Sequence, residues 1–238
     1  MKVDILAFGA HPDDVEISCA GTIIKHIEMG YKVGIIDLTA GELGTRGSKE
    51  LRLQEAEKAS QMMGVIIREN LFMRDGFFKN DEEHQLKIIQ KIRQYQPDIV
   101  LANAPIDRHN DHGRAAALVK EAAFLSGLRK VQTFLNDVPQ IPWRPKAVYH
   151  YIQDYYLDPH FVVDISPYFQ KKIEILKCYA SQFYNPNSNE PETPISGKEF
   201  FDVIESKARI LGRYLFTDYA EGFITNRVIG VPDIVKLT

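Results

Sequence analysis

The sequence predicts an α/β protein built on a Rossmann-like, doubly wound, mostly parallel sheet with helices on both faces and a C-terminal extension. Three observations predict it. Short apolar runs alternate with helix-length stretches through the first half of the chain, the pattern of repeated strand–helix units. The runs are close to continuously apolar, as strands covered on both faces are. Capping and stop residues bracket the stretches between them, where helices should begin and end.

In order, Val3-Asp4-Ile5-Leu6-Ala7-Phe8 reads as the first strand. Residues 15–29 form an apolar-rich helix (Val15, Ile17, Cys19, Ile23, Ile24, Ile27) that Gly30 stops. Val33-Gly34-Ile35-Ile36 is the next strand, followed by a glycine-rich loop over residues 39–47. Ser48 is a good N-cap for a helix to about Met63, with Gly64 as its stop. Val65-Ile66-Ile67 and Leu71-Phe72 suggest another extended segment. Asn80-Asp81-Glu82-Glu83 places an acceptor at the N-cap and Glu at N3, a capping box for a helix through about Tyr95. Pro97 ends it, Ile99–Ala102 is a strand, and an Ala-rich helix covers Arg114–Leu125.

The second half is less regular. Residues 147–152 and 161–163 read as strands that either finish the sheet or form a small annex. Ser166 at the N-cap and Pro167 at the first helical position open a helix to about Ala180. Asn185–Gly197, rich in Pro and Asn, is a loop, and a last helix spans roughly Lys198–Leu215. There is no internal repeat and no linker, so residues 1–238 are expected to form a single domain.

Composition bounds the function. With 45% hydrophobic and 26% charged residues the chain is globular and can bury a sizeable core. A net charge of −3 argues against a nucleic-acid partner, which calls for a strongly basic face. The first residues lack the apolar core of a signal peptide, and no stretch approaches the ~18 apolar residues of a membrane span. Cys19 and Cys178 form no CxxC motif. A cytoplasmic protein with no membrane contact is expected.

Histidine and acid concentrate in two loops, His11-Pro12-Asp13-Asp14 after the first strand and His109-Asn110-Asp111-His112 after Ile99–Ala102. Ligands bind outside the carboxyl ends of the strands in an open α/β sheet, so both loops should meet at one edge. A single turn brings His11 and Asp14 to one side. With His112 they make two imidazoles and a carboxylate, the three-ligand set of a catalytic Zn2+ site that keeps a fourth position for water or substrate. Fe2+ or Co2+ would suit the same donors. Asp13 faces away from its neighbour and is assigned as general base. His109 is placed to stabilise an oxyanion when protonated, and Asp111 to hold it or another site imidazole in orientation.

The blander alternatives stay open on the residues alone. Asp13 or Asp14 could simply cap the first helix, and Asp111 the helix near Arg114. His26, His84, His150 and His160 lack acidic company and are read as structural. Arg46, Lys49 and Arg52 could meet an anionic ligand, though a solvated cluster explains the first two equally well. Gly41, Gly44 and Gly47 lack dinucleotide spacing and there is no Walker A loop. Neither Ser126 nor Ser181 sits in a nucleophile elbow.

Gly9-Ala10-His11-Pro12-Asp13-Asp14-Val15-Glu16, then Arg52-Leu53-Gln54-Glu55-Ala56, then Pro105-Ile106-Asp107-Arg108-His109-Asn110-Asp111-His112 resemble the LmbE-like (PIG-L) family of zinc N-deacetylases in order and approximate spacing. Ser181-Gln182-Phe183 and Tyr219-Ala220-Glu221-Gly222-Phe223 look like its C-terminal segments, so the resemblance spans nearly the whole chain. Residues 39–47 and Asp107-Arg108-His109 look most like the bacillithiol-biosynthesis branch, which removes the acetyl group of N-acetylglucosaminyl malate. The resemblance implies zinc on His11, Asp14 and His112, Asp13 as base and His109 at the oxyanion. It also implies that Arg52 and Asp75 contact the sugar, and that the chain assembles as a hexamer. Ser18, where close relatives usually have Gly, and Asn110, where Pro is expected, depart from the pattern without removing a ligand. A malate aglycone would need cations, for which Arg46, Arg52 and Arg108 are the candidates.

Two rival classes make different demands. A nucleotide-dependent oxidoreductase on this sheet would carry a glycine fingerprint after Phe8, where the chain reads Gly9-Ala10-His11-Pro12. A non-catalytic sugar- or metal-binding module would not need Asp13 beside a complete ligand set. The expected partner is therefore a small-molecule amino-sugar conjugate. Free N-acetylglucosamine, a chitin disaccharide and a thiol-sugar conjugate remain alternatives to the malate conjugate.

Overall fold

Successive residues of a strand point to opposite faces of its sheet, and the first strand feeds two apolar layers. Ile5 and Ala7 join one buried cluster, Leu6 and Phe8 the other. The computed structural model describes residues 1–231 and 233–236. Its elements run β1 (Ile5–Gly9), α1 (Asp14–Glu28), β2 (Val33–Asp37), α2 (Lys49–Met63), β3 (Ile67–Asn70), α3 (Glu82–Tyr95), β4 (Ile99–Ala102) and α4 (Asn110–Leu125). They continue as β5 (Phe134–Leu135), β6 (Val138–Pro139), β7 (Ala147–Tyr151), β8 (Phe161–Asp164), α5 (Phe169–Leu176), α6 (Glu199–Gly212) and β9 (Ala220–Thr225).

Seven strands form one sheet in the order β3-β2-β1-β4-β7-β9-β8. The first five are parallel neighbours, and β9 runs antiparallel between β7 and β8. The order reverses at β1, whose chain continues to β2 on one side while β4 lies on the other. That is the topological switch point where an open sheet leaves a crevice. Helices α1, α2, α5 and α6 pack on one face, α3 and α4 on the other. The doubly wound, mostly parallel sheet expected from the sequence is the observed fold.

Local signals account for most boundaries. The Ser48 side chain accepts from Leu51 N, and Gly64 closes α2 at φ 83°. The cap of α3 is shifted by one residue: Asp81, not Asn80, accepts from His84 N, which leaves His84 rather than Glu83 at N3. Helix α4 starts at Asn110, four residues before the expected Arg114, because His109 takes the N-cap position and accepts from Asp111 N. Asn110 thus stands at the first helical position, the one where Pro is also at home.

The second half departs further. The helix expected over 166–180 is a 3-10 turn at Ser166–Tyr168 followed by a shorter α5. Ser166 does not cap it, since Asp164 Oδ1 accepts from both Ser166 N (2.9 Å) and Ser166 Oγ (2.7 Å). The segments at 147–151 and 161–164 finish the sheet rather than form an annex, joined through β9, which periodicity does not announce. Its sequence, AEGFIT, buries Glu221 at 3% exposure, and a buried acid hides a strand from hydropathy.

Candidate metal centre and active site

Both acidic–histidine loops lie at the carboxyl ends of neighbouring strands, β1 and β4. The chain turns sharply out of β1: Asp13 adopts φ 118°, ψ −24°, a left-handed conformation that costs a non-glycine residue on the order of 1–3 kcal/mol. It occupies the N-cap position of α1 yet makes no side-chain cap hydrogen bond, so capping does not explain it. Its Oδ2 instead accepts from Arg52 Nη2 at 3.0 Å. Asp14 is the first residue of α1, and its Oδ2 reaches back to His11 N at 2.9 Å.

Arg52 reaches Asp13 from the first turns of α2, across the glycine-rich loop. Gly41 has φ 63°, and a Cβ there would lie 2.3 Å from Arg52 Nη1. The glycine is required by the approach of the guanidinium as well as by its own backbone.

His11 and His112 each rest one ring nitrogen on carboxylates. His11 Nε2 is 3.0 Å from Asp75 Oδ1 and 3.4 Å from Asp111 Oδ2. His112 Nδ1 bonds Asp107 Oδ2 in a short contact. Their other nitrogens face Asp14, whose Oδ1 lies 3.1 Å from His112 Nε2 and whose Oδ2 lies 3.7 Å from His11 Nδ1. Asp14 is itself held by two buried amides: Asn103 Nδ2 donates to Oδ2 at 2.9 Å and Gln153 Nε2 to Oδ1 at 3.1 Å. The His109 ring lies edge-on to His11 and stacks on His112, with centroids 4.7 and 5.1 Å away. Its Nδ1 accepts from Asp111 N at 3.3 Å, which leaves the ring proton on Nε2.

These neighbours set the charges. Burial opposes charge on His11, but hydrogen bonds to Asp111 and Asp75 and the Asp14 charge outweigh it and raise its pKa to about 10. Burial likewise opposes charge on His112, yet Asp14 and Asp107 raise it to about 9. Burial would raise Asp14, but the His112 charge and hydrogen bond hold it well below the usual carboxylate range. Burial pushes Asp13 up to about 7 against the pull of Arg52. His109 is lowered, by burial and then by the charges of His11 and His112.

The donor set fits a divalent metal. Among the described residues, the ligand atoms of His11, His109 and His112 lie within 4.8 Å of one another, as do those of His11, Asp75 and Asp111. Asp14 belongs to neither group but stands beside both His11 and His112. Asp13, Asp14, Asp75, Asp107 and Asp111 outnumber Arg52 and Arg114, so when His11 and His112 give up their protons to bind an ion, the surplus of negative charge suits a doubly charged cation.

A cavity of about 360 Å³ opens on this cluster, lined by His11, Asp13, Asp14, His109 and His112 with Arg52, Asp75 and Arg108. One sequence expectation changes here. Arg46 does not line the cavity: its Nη2 donates to Ser188 Oγ (2.7 Å) and it pairs with Glu190 at 3.7 Å, both in the 185–197 loop. Asp111, expected to orient His109 or another imidazole, does the latter: its carboxylate turns to His11 (3.4 Å), with Gly76 N (2.9 Å) and Arg114 (2.6 Å) as its other partners, and it meets His109 only through its own backbone N–H. Arg108 stands at the mouth and pairs through Nε with Asp154 at 2.5 Å, not with Asp107 or Asp111.

Sequence reasoning missed the groups that hold the candidate ligands. Asn103 and Asp107 carry a faint signal, being polar residues just past a strand end. Gln153 has none. Yet its side chain steadies Asp14, while the following N–H groups of Asp154 and Tyr155 donate to Asp107 Oδ1 at 3.1 and 2.8 Å.

Comparison with known proteins adds a lineage. Residues 6–123 match the model of a family described as PIG-L: GlcNAc-PI de-N-acetylase. The chain is 31% identical over 189 residues to a diacetylchitobiose deacetylase of Thermococcus kodakarensis, covering 75% of this chain and 70% of that one. It is 25% identical over 193 residues to a 4-oxalmesaconate hydratase of Pseudomonas putida (74% and 73% covered). It is 27% identical over 198 residues to a probable N-acetyl-alpha-D-glucosaminyl L-malate deacetylase 2 of Bacillus anthracis (75% and 81%). Among solved structures it is similar to the conserved protein TT1542 of Thermus thermophilus, with a TM-score of 0.84, 33% identity, and 97% and 98% of the two chains covered.

Proposed function

The chain belongs to the PIG-L family, and from that premise we propose that it is a metal-dependent N-deacetylase whose substrate is N-acetylglucosaminyl L-malate, the deacetylation step of bacillithiol biosynthesis. One observation carries the reading. The ring nitrogens of His11 and His112 that face away from Asp75, Asp111 and Asp107 both turn to Asp14.

His11, Asp14 and His112 would hold the ion, assigned as Zn2+, with Fe2+ or Co2+ suited to the same donors. Bound there, it would supply Lewis acidity to the acetamide carbonyl and to the attacking water. Asp13 takes the water's proton. Burial raises its pKa above the usual carboxylate range, which suits a group that must accept a proton and later return it. His109 is the donor to the oxygen that gains charge, through Nε2–H, and does so as a neutral imidazole. Asp13 then returns its proton to the departing amine, so that water and amide become acetate and a glucosamine. Asp75 and Asp111 keep His11 turned, and Asp107 keeps His112 turned. Arg52 is assigned to the sugar as well as to Asp13. Arg108, with only Nε committed to Asp154, presents the rest of its guanidinium to a carboxylate of the malate.

Acetate release across N-acetylglucosaminyl malate, free N-acetylglucosamine and diacetylchitobiose tests the reading. The malate conjugate should give the highest kcat/KM. No acetate from any of them would sink the deacetylase assignment and favour water addition of the kind the hydratase relative's name describes.

We assign residues 1–238 to one domain and the assembly to a hexamer, which light scattering tests. No described helix is long and apolar enough to cross a membrane, and a cytoplasmic location is proposed with the small-molecule substrate.

A further inference from the structure

The cavity does not end at the histidines. Beyond Asp13 and Asp14 it continues between α1 and α6, walled by Ile17, Ile152, Ile195, Phe200, Ile204 and Leu211. Ile17, Ile152, Ile195 and Phe200 are only partly buried, although Ile17, Ile195 and Phe200 lie against the core. Apolar side chains left open beside a polar centre mark a place for an apolar group. At its floor lie Lys172 and Glu221, and this pair asks for no ligand. Lys172 Nζ donates to Glu221 Oε1 at 2.7 Å, and the same carboxylate accepts from Gly21 N (3.1 Å) and Thr22 N (2.7 Å) where α1 is broken at Cys19.

N-acetylglucosaminyl malate has one apolar group, the acetyl methyl, and a methyl does not need six apolar side chains. We propose that this chamber is an acyl pocket, and that the enzyme removes straight-chain aliphatic N-acyl groups longer than acetyl from glucosamine. The proposal rests on the deacetylase reading and extends it to the acyl half of the substrate.

Position assigns the chamber to the acyl chain rather than the aglycone. Ile17 follows Asp14 by three residues, so the apolar wall begins a rise of ~4.5 Å along α1 from the carboxylates. The first carbon of the acyl chain is bonded to the reacting carbonyl and lies about 1.5 Å from it. The aglycone lies beyond the sugar ring. Arg52 and Asp75, the groups assigned to the sugar, come from α2 and the loop after β3, on the β2–β3 side of β1. Apart from Ile17 on α1, which packs over β1, β2 and β9 alike, the apolar wall comes from the end of β7, the 193–195 segment and α6, toward the opposite side of the sheet. The longer chains react as acetyl does: water's oxygen joins the acyl carbon, the C–N bond breaks, and the amine leaves with the proton from Asp13.

Glucosamine release from N-acetyl, N-propionyl, N-butyryl and N-hexanoyl glucosamine tests the pocket, beside octyl N-acetylglucosaminide as the apolar-aglycone arm. We expect kcat/KM to rise with acyl length by up to about fourfold per buried methylene until the chamber is filled. Calorimetry on the metal-loaded protein should show hexanoate binding more tightly than acetate by a similar step per methylene. In Ile204→Trp, the ratio of butyryl to acetyl kcat/KM should fall at least tenfold. Hydrolysis of acetyl with butyryl a hundredfold slower, and hexanoate no tighter than acetate, overturns the proposal. A gain confined to the octyl glycoside overturns it in favour of the aglycone. If no N-acyl glucosamine is hydrolysed, the deacetylase reading fails, while the alkanoate series still decides whether the chamber takes an alkyl chain.

Discussion

Gln153→Leu removes a side chain that touches no substrate in this account, yet it should weaken the metal site. The Gln153 amide donates to Asp14 Oδ1 at 3.1 Å, while its Oε1 accepts from Asn103 Nδ2 (2.9 Å) and Ala104 N (3.2 Å). Leucine fills a similar volume and makes none of these bonds. A hydrogen bond to a charged group contributes about 1.5–3 kcal/mol, and partners of metal ligands change affinity by about 10–100-fold when removed. Both scales predict a zinc Kd raised by roughly one to two orders of magnitude. Ala104 N also loses its acceptor, at a cost of about 1–3 kcal/mol in stability, so folding must be followed beside binding. Competition with a chromophoric chelator gives the Kd, and the far-UV thermal transition gives the folded fraction. A zinc Kd within twofold of wild type in a folded variant would refute the view that Gln153 positions Asp14.

Asp13→Asn should keep zinc while kcat falls by ~10²–10⁴, the range for losing general acid–base catalysis; loss of zinc with activity would make Asp13 a ligand. His109→Ala should also keep zinc, with kcat down by about 10²–10³ and KM little changed; near wild-type kcat would remove His109 from the mechanism. Arg108→Ala should weaken the malate conjugate by roughly 1.5–3 kcal/mol and free N-acetylglucosamine much less, whereas equal losses in kcat/KM on both would assign Arg108 to its pairing with Asp154. Burial raises Asp37 to about 6, against the opposing Arg68 guanidinium. The folded state thus holds that proton more tightly than the unfolded chain, so its contribution to stability is full below about pH 4 and is lost as pH rises through about 6. Thermal transitions across that window should show a smaller loss in Asp37→Asn than in wild type, the remainder coming from Asp13, which is also raised; identical profiles would contradict it.

The parts legible in sequence were those written in local chemistry. Ser48 and Gly64 bracket α2 as their residue types predict, and the apolar runs of β1, β2 and β4 give the parallel core. His11, Asp13, Asp14, His109 and His112 were legible because two strand ends carry them. What escaped depends on distant partners. Glu221 sits in a strand because Lys172 and two broken-helix amides neutralise it, and no window around residue 221 contains them. Arg46 looks like a ligand-binding cation until the 185–197 loop folds back onto it. Gln153 lies 139 positions from the carboxylate it holds.

His11, Asp14 and His112 are proposed to bind the metal, with Asp75, Asp107 and Asp111 behind the histidines. Anomalous diffraction above the zinc edge, from crystals of the zinc-loaded protein, tests it most directly. One strong peak is expected within about 2.0–2.2 Å of His11 Nδ1, Asp14 and His112 Nε2. A peak between His11, Asp75 and Asp111, the competing group of ligand atoms, would contradict it.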